Sequence, residues 1–320
     1  MLKILKIFFI AFLLLTLSGC SVISGLFGGG NTNLDIPDIH KGTEGLKMSF
    51  EKNQPLSSYK VTDAGTPITI TVNLENKGTS VLAEDTTIVV NADKSYIALD
   101  NDRSNVVLQG ITERYSKGES AKLTFTGMIQ PLRLSEDTTI VSVNACYRYS
   151  IEGHYSVCID TDPSNIKTQK KACSSADNNK LGSLGGQGGP VGANKIEVVL
   201  NPRLNTLKPQ FMVYVKNFGS GRAFDAFASP ATLCSSGLTD SSALNIVYVT
   251  AKLADKEFKC SPNPIVINPE DENFVICSND GFSVSTDTAS YSSSLIVYMV
   301  YDYFDSISQE ISLKKVKTTN

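Results

Sequence analysis

Ile68-Thr-Ile-Thr-Val-Asn-Leu-Glu-Asn-Lys-Gly78 is the stretch of sequence that decides the fold. Its apolar residues stand at every second position as far as Leu74, and this period of two predicts a β-strand with one buried face. The Asn-Lys-Gly sequence that follows is typical of a turn. Further alternating runs cover Leu46 to Phe50, Thr86 to Asn91, Leu123 to Ile129, Thr138 to Tyr149 and Tyr155 to Ile159. Since no segment beyond Leu17 has a helical period, the sequence predicts an all-β fold built from β-sandwiches.

A second copy of this pattern occupies the C-terminal half. It reads Phe211-Met-Val-Tyr-Val-Lys-Asn-Phe-Gly219 and matches Ile70 to Gly78 position by position. Two further matches pair Leu295 to Tyr303 with Val141 to Tyr149, and Ile196, Val198 and Leu200 with Leu46, Met48 and Phe50. Their common order indicates two homologous domains. The predicted organisation is a signal peptide over 1–19, a flexible tether over 20–44, a first sandwich over 45–165, a glycine-rich linker over 166–193 and a second sandwich over 194–316.

The repeated motif resembles a known family of surface modules. Leu74-Glu-Asn-Lys-Gly78 and Val215-Lys-Asn-Phe-Gly219 are similar to the corresponding segment of CARDB-like and related immunoglobulin-like domains. The whole arrangement resembles archaeal and other prokaryotic surface lipoproteins that carry such domains in tandem. This resemblance implies two tandem immunoglobulin-like sandwiches of seven strands each, used for adhesion, presentation or spacing. An antibody-type domain is disfavoured because the chain has no tryptophan.

The N-terminal residues indicate export and a lipid anchor. Lys3 and Lys6 precede the apolar run from Ile7 to Leu17, which is typical of a signal peptide. The Leu17-Ser-Gly-Cys20 sequence resembles a lipobox, and this resemblance implies cleavage before Cys20 and lipidation of its sulfur. Each buried methylene of such a lipid adds about 0.8 kcal/mol of membrane affinity. We therefore expect attachment to the extracytoplasmic face of the cell membrane; the alternatives are an ordinary signal peptide or an uncleaved anchor.

The other cysteines are predicted to form disulfides, because an even number in an exported chain is typical of structural bridges. They are Cys146, Cys158, Cys173, Cys234, Cys260 and Cys277. A hairpin loop at Ile151-Glu-Gly153 would place Cys146 opposite Cys158, and the competing pair is Cys158 with Cys173. Cys260 with Cys277 is the pairing that we favour most. Three cysteines in each domain require either a bond between the domains or two free thiols.

Composition excludes several classes of function. The net charge of −3 over 320 residues argues against a nucleic-acid partner, which needs a clustered positive surface. The two histidines disfavour a histidine-based metal or catalytic site. His40 falls in the predicted tether and is expected to be solvated, while Glu152 and His154 flank the predicted hairpin tip. The glycine-rich segment lacks the strand and helix of a nucleotide-binding loop. We therefore expect no metal, no cofactor and no enzymatic activity.

Two other groups of residues were weighed as sites. Asp160-Thr-Asp162 has the alternate carboxylates of a calcium loop, but turn formation is the expected role because the rest of an EF-hand pattern is missing. The tyrosines of the two matching strands are expected in the core, with an exposed surface for glycan or protein contact as the alternative. These tyrosines are Tyr147, Tyr149, Tyr298, Tyr301 and Tyr303.

These observations favour a membrane-anchored extracytoplasmic lipoprotein. Its predicted role is a non-enzymatic binding, adhesion or spacer module of the cell envelope, held to the membrane by lipid on Cys20. The expected partner is an envelope protein or a glycan. The alternatives are a substrate- or carbohydrate-binding protein with its site at the domain junction, and a structural component of a surface layer.

Overall fold

The computed structural model describes residues 39–168, 170–226, 234 and 244–316. Residues from Ile39 onward form one compact unit. The predicted signal peptide, most of the tether and Cys20 lie outside the described residues. Among the residues that are described, no helix has the length and apolar character needed to cross a membrane.

The structure is nearly all β, as the alternating sequence predicts. The strands are β1 (Leu46–Phe50), β2 (Ser58–Val61), β3 (Thr66–Asn76), β4 (Thr87–Ala92), β5 (Ile97–Leu99), β6 (Arg103–Asn105), β7 (Ser120–Ile129), β8 (Glu136–Ile159), β9 (Val191–Arg203), β10 (Thr206–Asn217), β11 (Arg222–Phe224), β12 (Ile246–Leu253), β13 (Lys256–Ser261), β14 (Ile265–Val266), β15 (Phe274–Ser278), β16 (Val284–Ser285) and β17 (Tyr291–Lys315). A 3-10 helix covers Ser175–Gly182.

Two sheets enclose the core. The smaller sheet has the strand order β1-β3-β7-β5, and the larger one runs β16-β10-β15-β13-β12-β17-β8-β4-β6. Strand β9 pairs with β10, β2 and β11 pair with β17, and β14 pairs with β12. Apolar residues from both sheets belong to one buried cluster, in which Ile70, Val143, Val213 and Val297 are each at most 1% exposed. The chain therefore folds as an all-β sandwich, and the larger sheet passes from one half of the chain to the other.

The centre of the molecule is the antiparallel pair of β8 and β17, which are the two longest strands and pair along almost their entire length. The predicted hairpin at Ile151-Glu-Gly153 is therefore wrong, because β8 continues through it and Gly153 lies opposite Val297. The glycine serves packing instead of a turn: a Cβ atom at Gly153 would collide with the ring of Tyr155. The alternation of buried and exposed residues in β8 continues on both sides of this glycine, so the same face of the strand packs on the core before and after Gly153.

The two halves are related by an approximate twofold axis at the middle of this strand pair. The offset that relates Tyr147 to Tyr301 also relates Arg148 to Asp302, and these last two residues lie directly opposite each other. The repeat found in the sequence is thus a structural one. One of its three matches needs correction, because Leu46 pairs with Asn76 as Val191 pairs with Asn217. The counterpart of Leu46 is therefore Val191 and not Ile196, because pairing with the strand that ends in Asn-x-Gly fixes the register. Strand β9 also contains a bulge of one residue between Ala193 and Lys195.

The glycine-rich segment differs from the predicted flexible linker. Gln187 is 5% exposed, and its side-chain amide both donates to and accepts from the backbone of Ala193. Gly188 donates its N–H to Gly42 O and accepts the N–H of Thr79. Because both of these partners belong to the first half, this segment is a packed element that holds the halves together. The domain boundaries 45–165 and 194–316 remain predictions.

Six cysteines form three disulfides: Cys146–Cys234, Cys158–Cys173 and Cys260–Cys277. The last pair is the one favoured from sequence, and its members lie opposite each other on β13 and β15. The alternative pairing of Cys146 with Cys158 is wrong because the hairpin on which it depended is absent. The Cys146–Cys234 bond joins the two halves, so of the two expected outcomes it is the bond between them, and not two free thiols, that the structure shows.

Candidate functional site

Four tyrosines mark the junction of the two halves. Tyr147 and Tyr149 on β8 lie opposite Tyr303 and Tyr301 on β17, and all four are at most 2% exposed. Ring centroids of neighbouring tyrosines are 5.8–6.2 Å apart. The prediction that they belong to the core is correct, whereas Tyr298 is only partly buried. This tyrosine cluster, comprising residues 147, 149, 301 and 303, supplies hydroxyl groups to the loops above it.

Each Asn-x-Gly motif is anchored by one tyrosine of this cluster. Asn217 donates to Gly221 O at 2.8 Å, and its Oδ1 accepts Gly219 N–H at 3.0 Å and the Tyr303 hydroxyl at 3.1 Å. Asn76 makes the equivalent bonds to Ser80 O and Gly78 N–H. The asparagine thus closes its loop through its own side chain.

The glycine of each motif is required by space. A Cβ atom at Gly78 or at Gly219 would collide with the hydroxyl group of the tyrosine below it, Tyr149 or Tyr303. Burial raises the pKa of Tyr303 to about 12, although the hydrogen bond to Asn217 opposes this shift. These hydroxyls therefore stay protonated and act as structural donors.

A pocket of about 340 Å³ opens beside the cluster, where the first strand of the chain meets the second half. Tyr147, Tyr303 and Asp305 are among its lining residues. Burial raises the pKa of the Asp305 carboxyl, while hydrogen bonds from Ser306 N–H and the Ser220 hydroxyl lower it. The structure thus places a small polar pocket at the junction, which is where the sequence-based alternative expected a ligand site.

A larger concavity adjoins this pocket and shares Gly219 and Ser220 with it. We call it the polar groove; it has a volume of about 740 Å³ and lies between the bulge of β9, the loop after β10 and the turn before β15. Its polar lining includes Asn194, Lys195, Lys216, Arg222, Asn245, Asp271 and Glu272. This groove is the strongest candidate for a binding site among the described residues.

Local structure fixes both walls of the polar groove. On one wall, the bulge leaves Asn194 as an extra residue, and Leu184 N–H donates to its carbonyl. On the other wall, Asn273 donates to the carbonyls of Asn268 and Asp271 at 2.8 and 2.9 Å. Asn268 N–H donates in turn to Asn273 Oδ1 at 2.8 Å. These bonds hold the acidic turn in shape, so the groove is preformed.

An aromatic ring with a cation over it forms part of the groove. Lys195 Nζ lies 4.4 Å from the centroid of the Tyr214 ring. The hydrogen bond to Glu197 raises the pKa of Lys195, so this cation is retained at neutral pH. Amides, cations, carboxylates and an aromatic edge together offer hydrogen-bond donors and acceptors to a polar, uncharged or zwitterionic ligand.

Asp160 has a structural role, in agreement with the turn prediction. Desolvation raises the pKa of this buried carboxyl, but hydrogen bonds from Lys171, Ser175 N–H, Asp162 N–H and Ser290 outweigh it and lower the pKa to about 2. The Cys158–Cys173 disulfide closes the same loop. Asp160 therefore organises this loop through its hydrogen bonds.

The Arg148–Asp302 ion pair on the twofold axis was not found from the sequence, and only its acid is buried. Arg148 Nε donates to Asp302 Oδ1 at 2.9 Å, and Asp302 is 1% exposed. Burial raises the pKa of Asp302 to about 6 despite this arginine, and the carboxylates of Asp85 and Asp225 add to the shift. Its Oδ2 is buried without a hydrogen-bond partner. A buried acid with a charged neighbour gives no sequence signal, since β8 and β17 come together only in the fold.

Comparison with known proteins gives little further information. No family model matches the sequence, and no curated protein is significantly similar to it. Similar solved structures include the C-terminal domain of the AgI/II polypeptide BspA of Streptococcus agalactiae, with 9% identity, 84% of this chain and 98% of that chain covered, and a TM-score of 0.17. The C-terminal domain of the antigen I/II-family protein AspA of Streptococcus pyogenes is 7% identical, with 85% of this chain and 100% of that chain covered and a TM-score of 0.18. The collagen binding domain of the Erysipelothrix rhusiopathiae surface protein RspB is 8% identical, with 84% of this chain and 96% of that chain covered and a TM-score of 0.15.

These TM-scores are too low to support an argument about fold or function. None of these three structures is described as a CARDB module, so the specific resemblance gains no support from them. The description that stands is a disulfide-bonded, all-β sandwich, and it follows from the strands and disulfides of this chain itself.

Proposed function

We propose that this chain is a lipid-anchored, non-enzymatic binding module on the extracytoplasmic face of the cell membrane. The observation that carries the proposal is an all-β unit with three disulfides that follows the Leu17-Ser-Gly-Cys20 sequence in the chain. Disulfides persist in oxidising compartments outside the cytoplasm. The tether would hold the unit away from the lipid surface, and the polar groove would contact an envelope protein or a glycan.

The anchor is tested by Cys20→Ala in the native host, grown with a labelled fatty acid. We expect the wild-type chain to incorporate the label and to remain with the membrane fraction, because a thioether-linked lipid needs the thiol of Cys20. The variant should lose the label. Ser18→Ala, which keeps a small residue beside the cleavage site, is the matched control and should retain the label. Label on the Cys20→Ala chain would contradict the anchor.

Carbohydrate binding is the second candidate, and the polar groove, which lies in the second half and adjoins the pocket at the junction, is the observation that favours it. Sugar hydroxyls pair with the amide, carboxylate and guanidinium groups that line this groove. Self-assembly of the purified chain into sheets would instead favour the surface-layer alternative.

Binding is tested with the purified chain on an oligosaccharide array, followed by titration of any glycan retained. Arg222→Ala with Glu272→Ala should weaken binding about tenfold or more, because two polar contacts of about 1 kcal/mol each are lost. Lys259→Ala, on a different concave surface, should leave affinity unchanged. Equal affinity of wild type and the groove variant would exclude the groove as the glycan site.

A further inference from the structure

The two histidines of the chain, far apart in sequence, meet in the folded structure. The ring centroids of His40 and His154 are 5.1 Å apart, with an angle of 44° between the ring planes. His154 Nε2 also lies 2.9 Å from Glu152 Oε1. The expectation that His40 is a solvated tether residue is therefore wrong, and three side chains of metal-ligating type come together.

The fold fixes the backbone of all three residues. Glu152 and His154 are alternate residues of β8 and so project from the same face. His40 is held nearby because the following Gly42 bridges to Gln187 and accepts the Gly188 N–H. His40 and Glu152 also line one concavity of about 290 Å³.

Two of the distances are close to those expected around one tetrahedral ion. With Zn–N bonds of about 2.0–2.1 Å, two imidazole rings on the same ion have centroids roughly 5 Å apart, and two adjacent ligand atoms lie roughly 3.3 Å apart. The observed values are 5.1 Å for the rings and 2.9 Å for the Glu152 and His154 atoms. Imidazole and carboxylate are ligands that zinc accepts in proteins.

We propose that His40, Glu152 and His154 bind a divalent transition metal ion of the Zn²⁺ class, with a water molecule in the fourth position. Within the described ranges, one group of three has its potential ligand atoms already within 4.8 Å of one another, namely Cys158, Cys173 and Asp177, and its sulfurs are joined in a disulfide. The histidine site therefore forms by rotation of side chains. On binding, the side chains of Glu152 and His154 give up their contact with each other, and each coordinates the ion instead. His154 is 46% and Glu152 38% exposed, which leaves room for this movement.

Such an ion would crosslink two segments of the chain. It would connect the segment around His40 to β8, one of the two longest strands of the larger sheet. A ligand that binds only the folded chain stabilises it in proportion to the logarithm of its concentration above Kd. The proposal is independent of lipidation at Cys20, so failure of either one leaves the other standing.

The test uses the full chain in detergent, freed of metal by a chelator and titrated with Zn²⁺ alone. We expect one ion per chain, and both histidine imidazole signals in the NMR spectrum should shift together as the first equivalent is added. His154→Ala should weaken Zn²⁺ binding about thirtyfold or more, and Glu152→Gln about tenfold, because each removes one ligand. Co²⁺ should give the visible spectrum of tetrahedral coordination with the wild type and not with His154→Ala.

The matched control is Glu257→Gln, which removes an exposed carboxylate that is 80% accessible and far from β8 in the strand order. This variant should bind Zn²⁺ like the wild type. His40→Asn is a second ligand variant, and the thermal unfolding of each metal-free variant shows whether it is folded. A shift of only one imidazole signal, or Zn²⁺ affinity unchanged in folded His40→Asn and His154→Ala, would overturn the proposal.

Discussion

Tyr301→Ala is expected to lower the free energy of unfolding by about 3–5 kcal/mol, the usual range for removing a large aromatic side chain from a core. Tyr301 is 0% exposed and contacts the rings of Tyr149 and Tyr303. Its hydroxyl oxygen accepts the Val191 N–H at 3.1 Å. The substitution therefore leaves a cavity at the junction of the halves together with an unpaired buried N–H group.

Urea unfolding of three variants separates these contributions. Tyr301→Phe keeps the ring and should lose only about 1 kcal/mol with the hydrogen bond. Tyr298→Ala lies on the same strand but is only partly buried, so its loss should be clearly smaller than that of Tyr301→Ala. If Tyr301→Ala and Tyr298→Ala destabilise equally, the tyrosine cluster is not the packing centre that the structure indicates.

Removal of the Cys146–Cys234 disulfide is expected to have the second large effect. These residues are 88 positions apart, and a crosslink over that separation restricts the unfolded chain by about 4–5 kcal/mol. Cys158 and Cys173 are 15 positions apart, and the corresponding value is about 3 kcal/mol. The double variant Cys146→Ala with Cys234→Ala should therefore be less stable than the double variant Cys158→Ala with Cys173→Ala.

Chemical unfolding of the oxidised wild type and both double variants measures this order. Non-reducing peptide mapping of the wild type should recover the fragments containing Cys146 and Cys234 as one linked species. A linked species that joins Cys146 to Cys158 would contradict the connectivity, and a less stable Cys158–Cys173 variant would contradict the chain-entropy account of the two bonds.

Local sequence was sufficient for the elements themselves. Alternation from Ile68 to Leu74 predicted β3, and the matching run ending at Gly219 predicted β10. A period of two can be recognised within one segment because successive side chains of a strand point to opposite faces, whatever the distant partners of that strand are. The Cys260–Cys277 pairing could be predicted because the two cysteines lie beside the strand-like runs at Ile265 to Ile267 and Phe274 to Ile276, which they would join.

Where the sequence reading failed, a glycine had two possible meanings. Gly153 predicted a turn, yet the alternation continued through Ile151, Tyr155 and Val157, and that continuity was the better signal. In Gly186 to Gly192 the small residues indicated a linker, whereas the structure uses them for close contact between the halves. Glycine permits both a sharp turn and a close approach, and only the neighbours decide between them.

The candidate sites divide in the same way. The Pro269-Glu-Asp-Glu272 segment before β15 has the composition of an acidic turn, but the polar groove also needs the bulge of β9 and the loop after β10. The pairing of His40 with His154 gave no local signal, because the two residues belong to segments that meet only after β8 has entered the sheet.

The sequence by itself determined that this chain forms strands, that its pattern occurs twice and that its cysteines suit disulfides, because side-chain alternation and cysteine content are local properties. Only the tertiary structure decided that β8 and β17 pair along their length and merge the two halves into one body, that the bulge of β9 and two loops form the polar groove, and that His40 meets His154. Strand pairing depends on hydrogen bonds and packing between residues more than a hundred positions apart, and the sum of those contacts is not contained in any single segment.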